Sequence, residues 1–182
     1  MKLRRADAAD AGKLALLGSA TFLTAFASDH PGDALVAHCR DQHSEVRYAA
    51  WADDPAYALW IAETPLGAPV GYAMLSPPDL DIAVEPDAVE LKRIYTLDAW
   101  QGRGLGHRLI ETVIGEARSR QAPNLYLCVY ETNEMAQRFY ARHGFVRVGT
   151  QKFMVGDVAF TDWILRCELA SASAVRRMSR TM

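Results

Sequence analysis

The sequence has 182 residues, of which 50% are hydrophobic and 23% are charged, and its formal net charge is −2. This is the composition of one globular domain with a proper core. The charge balance provides no electrostatic basis for nucleic-acid binding, and no apolar run approaches the roughly twenty residues of a membrane span. The first ten residues, MKLRRADAAD, lack the apolar core of a signal peptide.

The sequence contains three cysteines, Cys39, Cys128 and Cys167, which are widely spaced and form neither a CxxC pair nor a disulfide framework. Free thiols are typical of a reducing compartment, so we expect a cytoplasmic protein. The five histidines show no metal-ligand spacing, and His38 and His43 lack a partner ligand set. We therefore expect no bound metal.

The first half of the chain predicts three strands and two helical stretches. The strands are residues 2–5, 56–64 and 68–76, and the helical stretches are residues 6–27 and 32–51, with an interruption near Ser44. The two later strands are joined by Pro65-Leu66-Gly67, which is typical of a hairpin turn. A proline-rich acidic connection, residues 77–87, follows them.

The second half predicts strands that alternate with helices, followed by a strand pair. Strands are expected at residues 88–97, 124–130, 145–152 and 160–169, and a helix is expected after each of the first two. The first helix follows a glycine-rich turn and carries an apolar stripe from Leu105 to Ala117. The second begins near Asn133, runs through Arg142 and ends at Gly144 as a C-cap.

This order, β-α-α-β-β-β-α-β-α-β-β, predicts an α/β (α+β) fold in a single domain over residues 1–170. Hairpins produce antiparallel pairs, whereas the helix between strands 88–97 and 124–130 is a crossover that produces one parallel pair. We expect a mixed, mostly antiparallel sheet of about seven strands flanked by helices, with a ligand cleft at the carboxyl ends of the parallel pair. Residues 171–182 form a basic tail that we expect to be flexible.

The turn before the first of these helices has the sequence WQGRGLGHRL, residues 100–109. It combines three alternate glycines with basic side chains: Gly102, Gly104 and Gly106, with Arg103, His107 and Arg108. A helix N-terminus has unpaired N–H groups and a partial positive charge, and glycines let an anion approach the backbone closely. We predict a phosphate or pyrophosphate site; the alternative is a plain glycine-rich turn with a solvated basic rim. Walker and dinucleotide patterns both fail here.

What fits the turn is Gln101-x-x-Gly104-x-Gly106, which resembles the pyrophosphate-binding signature Q/R-x-x-G-x-G/A of the GNAT superfamily of N-acetyltransferases. A second pattern, Asn-x-x-Ala…Phe-Tyr…Gly-Phe from Asn133, resembles the second half of that family's acetyl-CoA site. The resemblance spans residues 1 to about 169. The sequence is most similar to the PaiA-type polyamine acetyltransferases, through TFLTAF, ELKRIYTLDAWQGRGLG, VYETNEMAQRFYARHGF and FMVGD…TDWIL.

The resemblance implies a GNAT-like domain whose parallel strands splay at the cofactor cleft, with acetyl-CoA as cosubstrate and no metal. It implies three groups of cofactor contacts: backbone pairing with the pantetheine arm, backbone contacts to the pyrophosphate, and contacts from the second helix. The residues in these groups are Ile94, Tyr95 and Thr96; Gln101, Gly102, Arg103, Gly104, Leu105, Gly106 and His107; and Asn133 and Tyr140.

Acetyl transfer needs an acid and a base. A thiolate with a solution pKa of about 8.5 leaves, and the resemblance implies that Tyr140 protonates it. A primary amine with a pKa near 10.4 must lose a proton, and Glu90 is the first candidate base, with Glu131 second. Alternatively, Glu90 is a surface carboxylate paired with Lys92. If Leu91, Arg93 and Tyr95 point one way, Glu90 shares a face with Lys92, Ile94 and Thr96. Cys128 fits a buried core thiol better than a nucleophile.

Acidic residues suggest which amine is acetylated. Asp79, Asp81, Glu85, Asp87 and Glu90, together with Glu63, would line a mouth that attracts polycations, or they form a solvated loop. We expect direct acetyl transfer in a ternary complex to a small primary amine such as a polyamine. The alternatives are a peptide or protein amine, a non-catalytic acyl-CoA-binding or sensing module, and a nucleotide-binding regulator. Homodimers are frequent in the superfamily, although no residue here points to one.

Overall fold

The computed structural model describes residues 1–169, which form a single seven-stranded mixed sheet in the order β1-β2-β3-β4-β5-β7-β6. The strands are β1 (Lys2–Arg5), β2 (Ala58–Glu63), β3 (Pro69–Ser76), β4 (Val89–Thr96), β5 (Asn124–Tyr130), β6 (Val146–Val155) and β7 (Val158–Glu168). The helices are α1 (Ala11–Phe26), α2 (Gly32–Gln42), α3 (Glu45–Asp53), α4 (Leu105–Ser119) and α5 (Glu134–Arg142). The order and the fold class predicted from the sequence are confirmed, including the break between α2 and α3 at Ser44.

The predicted tail, residues 171–182, lies outside the described residues. Among the helices of residues 1–169, none combines the length and the apolar character that a membrane crossing requires.

Helices cover both faces of the sheet. The apolar stripe of α4 packs on one face, against strands β2 to β5, and buries Leu109, Ile110 and Val113 completely. Helices α1 and α3 cover the other face, where Leu14 and Tyr48 are fully buried. Replacing a leucine such as Leu109 by alanine would cost about 2 to 5 kcal/mol, because the helix could not collapse into the cavity. The sheet between these layers is therefore a rigid support for residues at its edges and ends.

One irregularity in β4 changes the directions of its side chains. Met74 of β3 pairs with Arg93, and the next residue, Leu75, pairs with Leu91, so Lys92 is the extra residue of a β-bulge. A bulge interrupts the alternation of side chains and bends the strand. As a result Leu91 and Ile94 both contact the α4 layer, while Tyr95 packs with the α1 and α3 layer.

The expectation that Glu90 shares a face with Ile94 and Thr96 is therefore wrong. Regular alternation would have placed them together, but the bulge lies between them. Glu90 pairs with Tyr126 in the parallel ladder, and Tyr126 lies in the apolar cluster on the face away from α4. Thr96 instead lies beside Leu105 of α4, close to Gly71.

Candidate active site

The parallel strands β4 and β5 are joined only at their beginnings. Their ladder has three rows, from Val89 opposite Leu125 to Leu91 opposite Leu127, and within the described residues the two strands do not pair beyond it. The bulge at Lys92 follows the last row directly. From there to Thr96, β4 keeps its pairing with β3 but has no strand partner from residues 1–169 on the β5 side. Its backbone therefore borders an open gap that another extended group could pair with.

The glycine-rich turn lies at the same end of the sheet as this gap. Gly104 is the N-cap of α4 with φ +77°, and no side chain caps the helix there. Gly102 also has a left-handed φ of +69°, and a Cβ on either glycine would meet no heavy atom within 4 Å. The first N–H groups of α4 are thus free to bind an anion. Leu105 is buried in the core, so it can contribute only its backbone.

The side chains of the turn are engaged with one another or with α5. Gln101 donates a hydrogen bond to Asp98 at 2.9 Å, and the Arg103 guanidinium lies over the Trp100 ring at 5.4 Å. A Cβ on Gly106 would lie 3.7 Å from the Phe139 ring of α5. The turn is therefore packed against the helix that carries Tyr140, which places the two predicted halves of the site side by side.

Tyr140 lies on the inner face of α5 and is 8% exposed. Its ring contacts Phe139 and Phe145 with centroid distances of 5.3 and 5.7 Å. Burial raises the pKa of its hydroxyl, which therefore stays protonated at neutral pH. Within residues 1–169 the hydroxyl has no hydrogen-bond partner. Asn133 caps α5 by accepting a hydrogen bond from the Ala136 N–H at 3.0 Å.

Glu90 is only 2% exposed, yet it is the centre of a polar group of contacts. Its carboxylate accepts a hydrogen bond from the Asp79 N–H at 2.8 Å and lies 3.3 Å from the Lys92 ammonium. Burial raises the pKa of Glu90, and the Lys92 charge opposes that shift. The ion pair between Glu90 and Lys92, which was the alternative to a base role for Glu90, is present. A base role remains compatible with it, since a carboxylate with a raised pKa holds a proton more readily.

The acidic residues that were predicted to line one mouth lie in different surroundings in the structure. Asp79, Asp81 and Asp87 are exposed on the 77–87 connection, and Glu85 accepts a hydrogen bond from the Tyr126 hydroxyl at 2.7 Å. The inclusion of Glu63 in this mouth is wrong. Glu63 pairs with Pro69 at one end of β3, whereas Glu90 pairs with Ser76 at the other end.

Glu63 is instead a structural anchor. Its carboxylate lies 2.9 Å from Arg4 and 2.6 Å from Lys13, which joins β1 and α1 to the end of β2. Hydrogen bonds from Arg4 and Lys13 lower the pKa of Glu63, so it stays ionised and its charge is neutralised locally.

Cys128 lies in β5 on the same face as Glu90. Burial raises the pKa of its thiol, and the Glu90 carboxylate adds to the shift. A thiol in this state is a poor nucleophile at neutral pH. This supports the prediction that Cys128 is a packing residue.

One group of residues near the carboxyl end of β5, on the face away from α4, was not predicted from the sequence. Asp162 of β7 pairs with Tyr130, and burial raises its pKa to about 6, with a further contribution from the Glu131 charge. The His30 ring stacks on Phe160 with centroids 3.6 Å apart, and Tyr130 meets Phe160 edge-on at 5.9 Å. These aromatic rings and one carboxylate could surround an ammonium group.

His30 has a further property of a binding residue. Its side chain is 1% exposed, its Nδ1 lies 2.8 Å from the Asp29 carboxylate, and its Nε2 is buried without a hydrogen-bond partner in residues 1–169. The signals in the sequence were weak. His30 lies between two predicted helical stretches, and Asp162 lies within a predicted strand, FTDWIL, so neither position suggests a site.

Comparison with protein-family models matches residues 22–145 to the acetyltransferase (GNAT) family. An uncharacterized N-acetyltransferase of Mycobacterium tuberculosis is 32% identical over 160 residues, which cover 88% of this chain and 98% of that protein. A spermine/spermidine N(1)-acetyltransferase of Bacillus subtilis is 33% identical over 78 residues, which cover 42% of this chain and 51% of that protein.

Among solved structures, the PaiA N-acetyltransferase of Thermoplasma acidophilum, crystallised in complex with coenzyme A, superposes with a TM-score of 0.75. The two chains are 15% identical, and the match covers 92% of this chain and 98% of that one. At this identity the likeness concerns the fold. It agrees with the seven-stranded sheet and the single parallel pair described above.

Proposed function

The chain belongs to the acetyltransferase (GNAT) family and is an N-acetyltransferase, and from this premise we propose that it moves an acetyl group from acetyl-CoA directly to a primary amine. We further propose that a polyamine or a related small amine is the acceptor, as in the PaiA-type enzymes. One observation mainly supports acetyl-CoA as the cofactor: the open gap between β4 and β5 lies at the same end of the sheet as the uncapped N-terminus of α4.

In this proposal acetyl-CoA lies across both features. The pantetheine arm pairs with the backbone of Ile94, Tyr95 and Thr96, which within the described part of the chain has no strand partner on the β5 side. The pyrophosphate binds the N–H groups of the turn from Gln101 to His107, where the dipole of α4 favours negative charge. Asn133, at the start of α5, contacts the cofactor from the opposite wall of the gap.

Tyr140 acts as the general acid. The amine nitrogen attacks the thioester carbonyl, the C–N bond forms, and the C–S bond breaks to release a thiolate. The Tyr140 hydroxyl gives its proton to that sulfur, and the proton that the attacking nitrogen loses as it becomes an amide returns to the Tyr140 oxygen through solvent. One observation supports the role: within residues 1–169 no protein group forms a hydrogen bond with this hydroxyl, which is protonated at neutral pH.

Glu90 acts as the general base, directly or through a water molecule, and Glu131 remains the second candidate. The acceptor arrives as an ammonium with a pKa near 10.4, so it must lose a proton before it can attack. Glu90 lies on the face away from α4, opposite the layer to which Tyr140 belongs. Acid and base on opposite sides of one gap suit a transfer without a covalent enzyme intermediate.

The acceptor amine binds on the Glu90 side. Asp162 supplies a carboxylate for the ammonium, and the aromatic side chains of Tyr130 and Phe160 lie near the same end of β5. The exposed carboxylates of Asp79, Asp81 and Asp87 would attract a polycation over a longer range. The partial match to the spermine/spermidine acetyltransferase supports the same substrate class.

The substrate proposal is tested by ranking amines by kcat/KM with acetyl-CoA. The panel contains spermidine, spermine, putrescine, a monoamine of similar length, and peptides with free amines. A double variant with Asp81 and Asp87 replaced by Asn should raise KM for spermidine several-fold more than KM for the monoamine, since only the polycation uses the distant charges. A preference for peptides would support acetyl transfer but show that the acceptor is a peptide amine and not a polyamine. Binding of acetyl-CoA without turnover would favour a sensing module.

We also propose a cytoplasmic location, because Cys39, Cys128 and Cys167 are unpaired thiols in residues 1–169. A homodimer remains a prediction, to be checked by the mass of the purified protein in solution.

A further inference from the structure

Three metal-ligating side chains meet where the start of α4 touches the end of α5. His107 and Glu111 lie one turn apart on α4, so they share a face of that helix. His143 is the C-cap residue of α5. One ligand atom from each of the three residues lies within 4.8 Å of the others. We infer that His107, Glu111 and His143 form a binding site for a divalent transition metal, with Zn²⁺ as the preferred ion.

The spacing of the ligand atoms suits one small ion. His107 Nδ1 lies 3.0 Å from His143 Nε2, and a Glu111 carboxylate oxygen lies 4.0 Å from the same His143 nitrogen. Zinc–ligand bonds of about 2.0 to 2.2 Å in a tetrahedron place neighbouring ligand atoms roughly 3.3 Å apart. The two distances lie on either side of that value, and all three ligand atoms lie within 4.8 Å of one another, so rotation of the exposed His107 and Glu111 side chains would bring the three atoms around one ion.

A hydrogen bond from the Nδ1 side of the His143 ring leaves its Nε2 atom in the state that a metal requires. His143 Nδ1 lies 2.9 Å from the Phe139 carbonyl oxygen, which can only accept a hydrogen bond. Nδ1 of the neutral ring therefore carries the proton and Nε2 carries the lone pair. Metal-ligating histidines are commonly held by a carbonyl in this way. Nε2 now accepts a hydrogen bond from His107 Nδ1, and metal binding would move the His107 proton to its other ring nitrogen.

The site is accessible and its ligand set is selective. His107 and Glu111 are exposed and His143 is half-buried, so an ion can enter from solvent and keep a water as its fourth ligand. Two imidazoles and one carboxylate suit Zn²⁺, Cu²⁺ or Ni²⁺, whereas Mg²⁺ and Ca²⁺ prefer sites built entirely from oxygen. The partial negative charge at the C-terminus of α5 favours a cation there, whereas the partial positive charge at the N-terminus of α4, beside His107, opposes it.

Opposing charges limit the affinity. Arg118 and Arg142 line the same surface cleft, which has a volume of about 500 Å³. With one carboxylate against two guanidinium groups, we expect a dissociation constant for Zn²⁺ in the micromolar range. A bound ion would tie the helix that follows the glycine-rich turn to the helix that carries Tyr140.

The test is titration of the untagged, chelator-treated full chain with Zn²⁺ by calorimetry, with Co²⁺ as a spectroscopic probe. The wild type should bind one Zn²⁺ per chain, and the visible bands of bound Co²⁺ should be those of a low-coordinate site. Glu111→Gln should weaken binding at least ten-fold, and His107→Ala should abolish it at micromolar concentrations. Zn²⁺ should raise the melting temperature of the wild type and of neither variant.

Two matched controls separate this site from others. Glu116→Gln changes a carboxylate on the same helix that is paired with Arg120, and His38→Gln removes a histidine outside the cluster. Both should bind Zn²⁺ as the wild type does, and far-ultraviolet circular dichroism should show all variants folded. Wild type that does not bind, or His107→Ala that binds equally well, would overturn the inference. The readout is metal binding, so it does not depend on which amine the enzyme acetylates.

Discussion

The Lys92 ammonium lies 3.3 Å from a carboxylate oxygen of Glu90 and 3.3 Å from one of Asp79. Lys92 is the bulge residue of β4, at the point where the parallel ladder with β5 ends. Its charge opposes the effect of burial on Glu90, which on balance still has a raised pKa. The bulge residue therefore lies where the gap begins, and its side chain also moderates the proton affinity of the proposed base.

Replacing Lys92 by Met should move the acidic limb of the kcat/KM profile to higher pH. Activity requires deprotonated Glu90, so it rises as pH passes through the pKa of Glu90. Without Lys92 that pKa rises further, because the opposing positive charge is gone. Glu90→Gln should remove the limb and lower kcat/KM by about 10² to 10⁴.

Lys13→Met is the matched control for this prediction, since Lys13 also pairs with a buried glutamate, Glu63, at the far end of the sheet. Its pH profile should match that of the wild type. A Lys92→Met profile identical to that of the wild type would exclude Glu90 as the base.

Tyr140→Phe should lower kcat by about 10² or more while the dissociation constant of acetyl-CoA changes little. The hydroxyl has no hydrogen-bond partner in residues 1–169, so its loss removes a proton donor and leaves the packing intact. Tyr126→Phe is the control: it removes a hydroxyl bonded to Glu85 on the opposite face of the sheet. Steady-state kinetics and calorimetric titration with CoA measure both effects. Full turnover by Tyr140→Phe would assign the acid role elsewhere.

Gly104→Ala should weaken acetyl-CoA binding about ten-fold, because alanine resists the left-handed φ of +77° and would distort the anion site. The strain should also lower the free energy of unfolding by about 1 to 2 kcal/mol. Gly67→Ala is the control that measures the effect of backbone strain alone. Gly67 also has a left-handed φ of +82° and open space around it, but it lies in the β2–β3 turn, away from the proposed anion site. Urea unfolding should give similar losses for both variants, and only Gly104→Ala should raise the KM for acetyl-CoA. Equal KM values would argue against the turn as the pyrophosphate site.

Asp162→Asn should stabilise the protein at neutral pH and impair its activity. Burial raises the pKa of Asp162 from 3.8 to about 6, so the native state holds this proton more tightly than the unfolded state does. Protonated Asp162 therefore makes its full contribution to the free energy of unfolding of the wild type below pH 3.8. That contribution is lost as pH rises to about 6. The asparagine variant does not titrate, so it keeps this free energy of unfolding. We expect the difference from the wild type to be about 1 to 3 kcal/mol above pH 6.

Urea unfolding from pH 4 to pH 8 measures this difference, which should vanish at the acid end. The KM for the amine should rise in the same variant. Unchanged stability together with unchanged KM would show that Asp162 is a solvated residue without a role in the acceptor site.

The regular parts of the fold were readable from the sequence because local patterns determine them. The stripe from Leu105 to Ala117 follows the helical period, and every member of it facing the sheet is buried. Gly144 ends α5 with φ +83°, as its position predicted. The glycine-rich turn was readable for the same reason, since glycines between a strand and a helix permit the left-handed φ values that Gly102 and Gly104 adopt.

The remaining features depend on contacts between distant segments. The bulge at Lys92 is defined by the register against β3, and no local pattern marks it, so the face of Glu90 was predicted incorrectly. His107 and His143 are 36 residues apart and meet only because α4 and α5 pack together. Asp162 and His30 come from opposite ends of the chain, and their surroundings follow from the order in which the strands pair.

The measurement that tests the central claim most directly is amine-dependent release of free thiol from acetyl-CoA by the purified full chain, with mass spectrometry of the product. The account predicts release with spermidine or spermine, formation of the N-acetylated amine in equal amount, and loss of both in the Tyr140→Phe variant. Demonstrated binding of acetyl-CoA with no release in the presence of any amine would contradict the account, because it would leave a cofactor-binding protein without transferase activity.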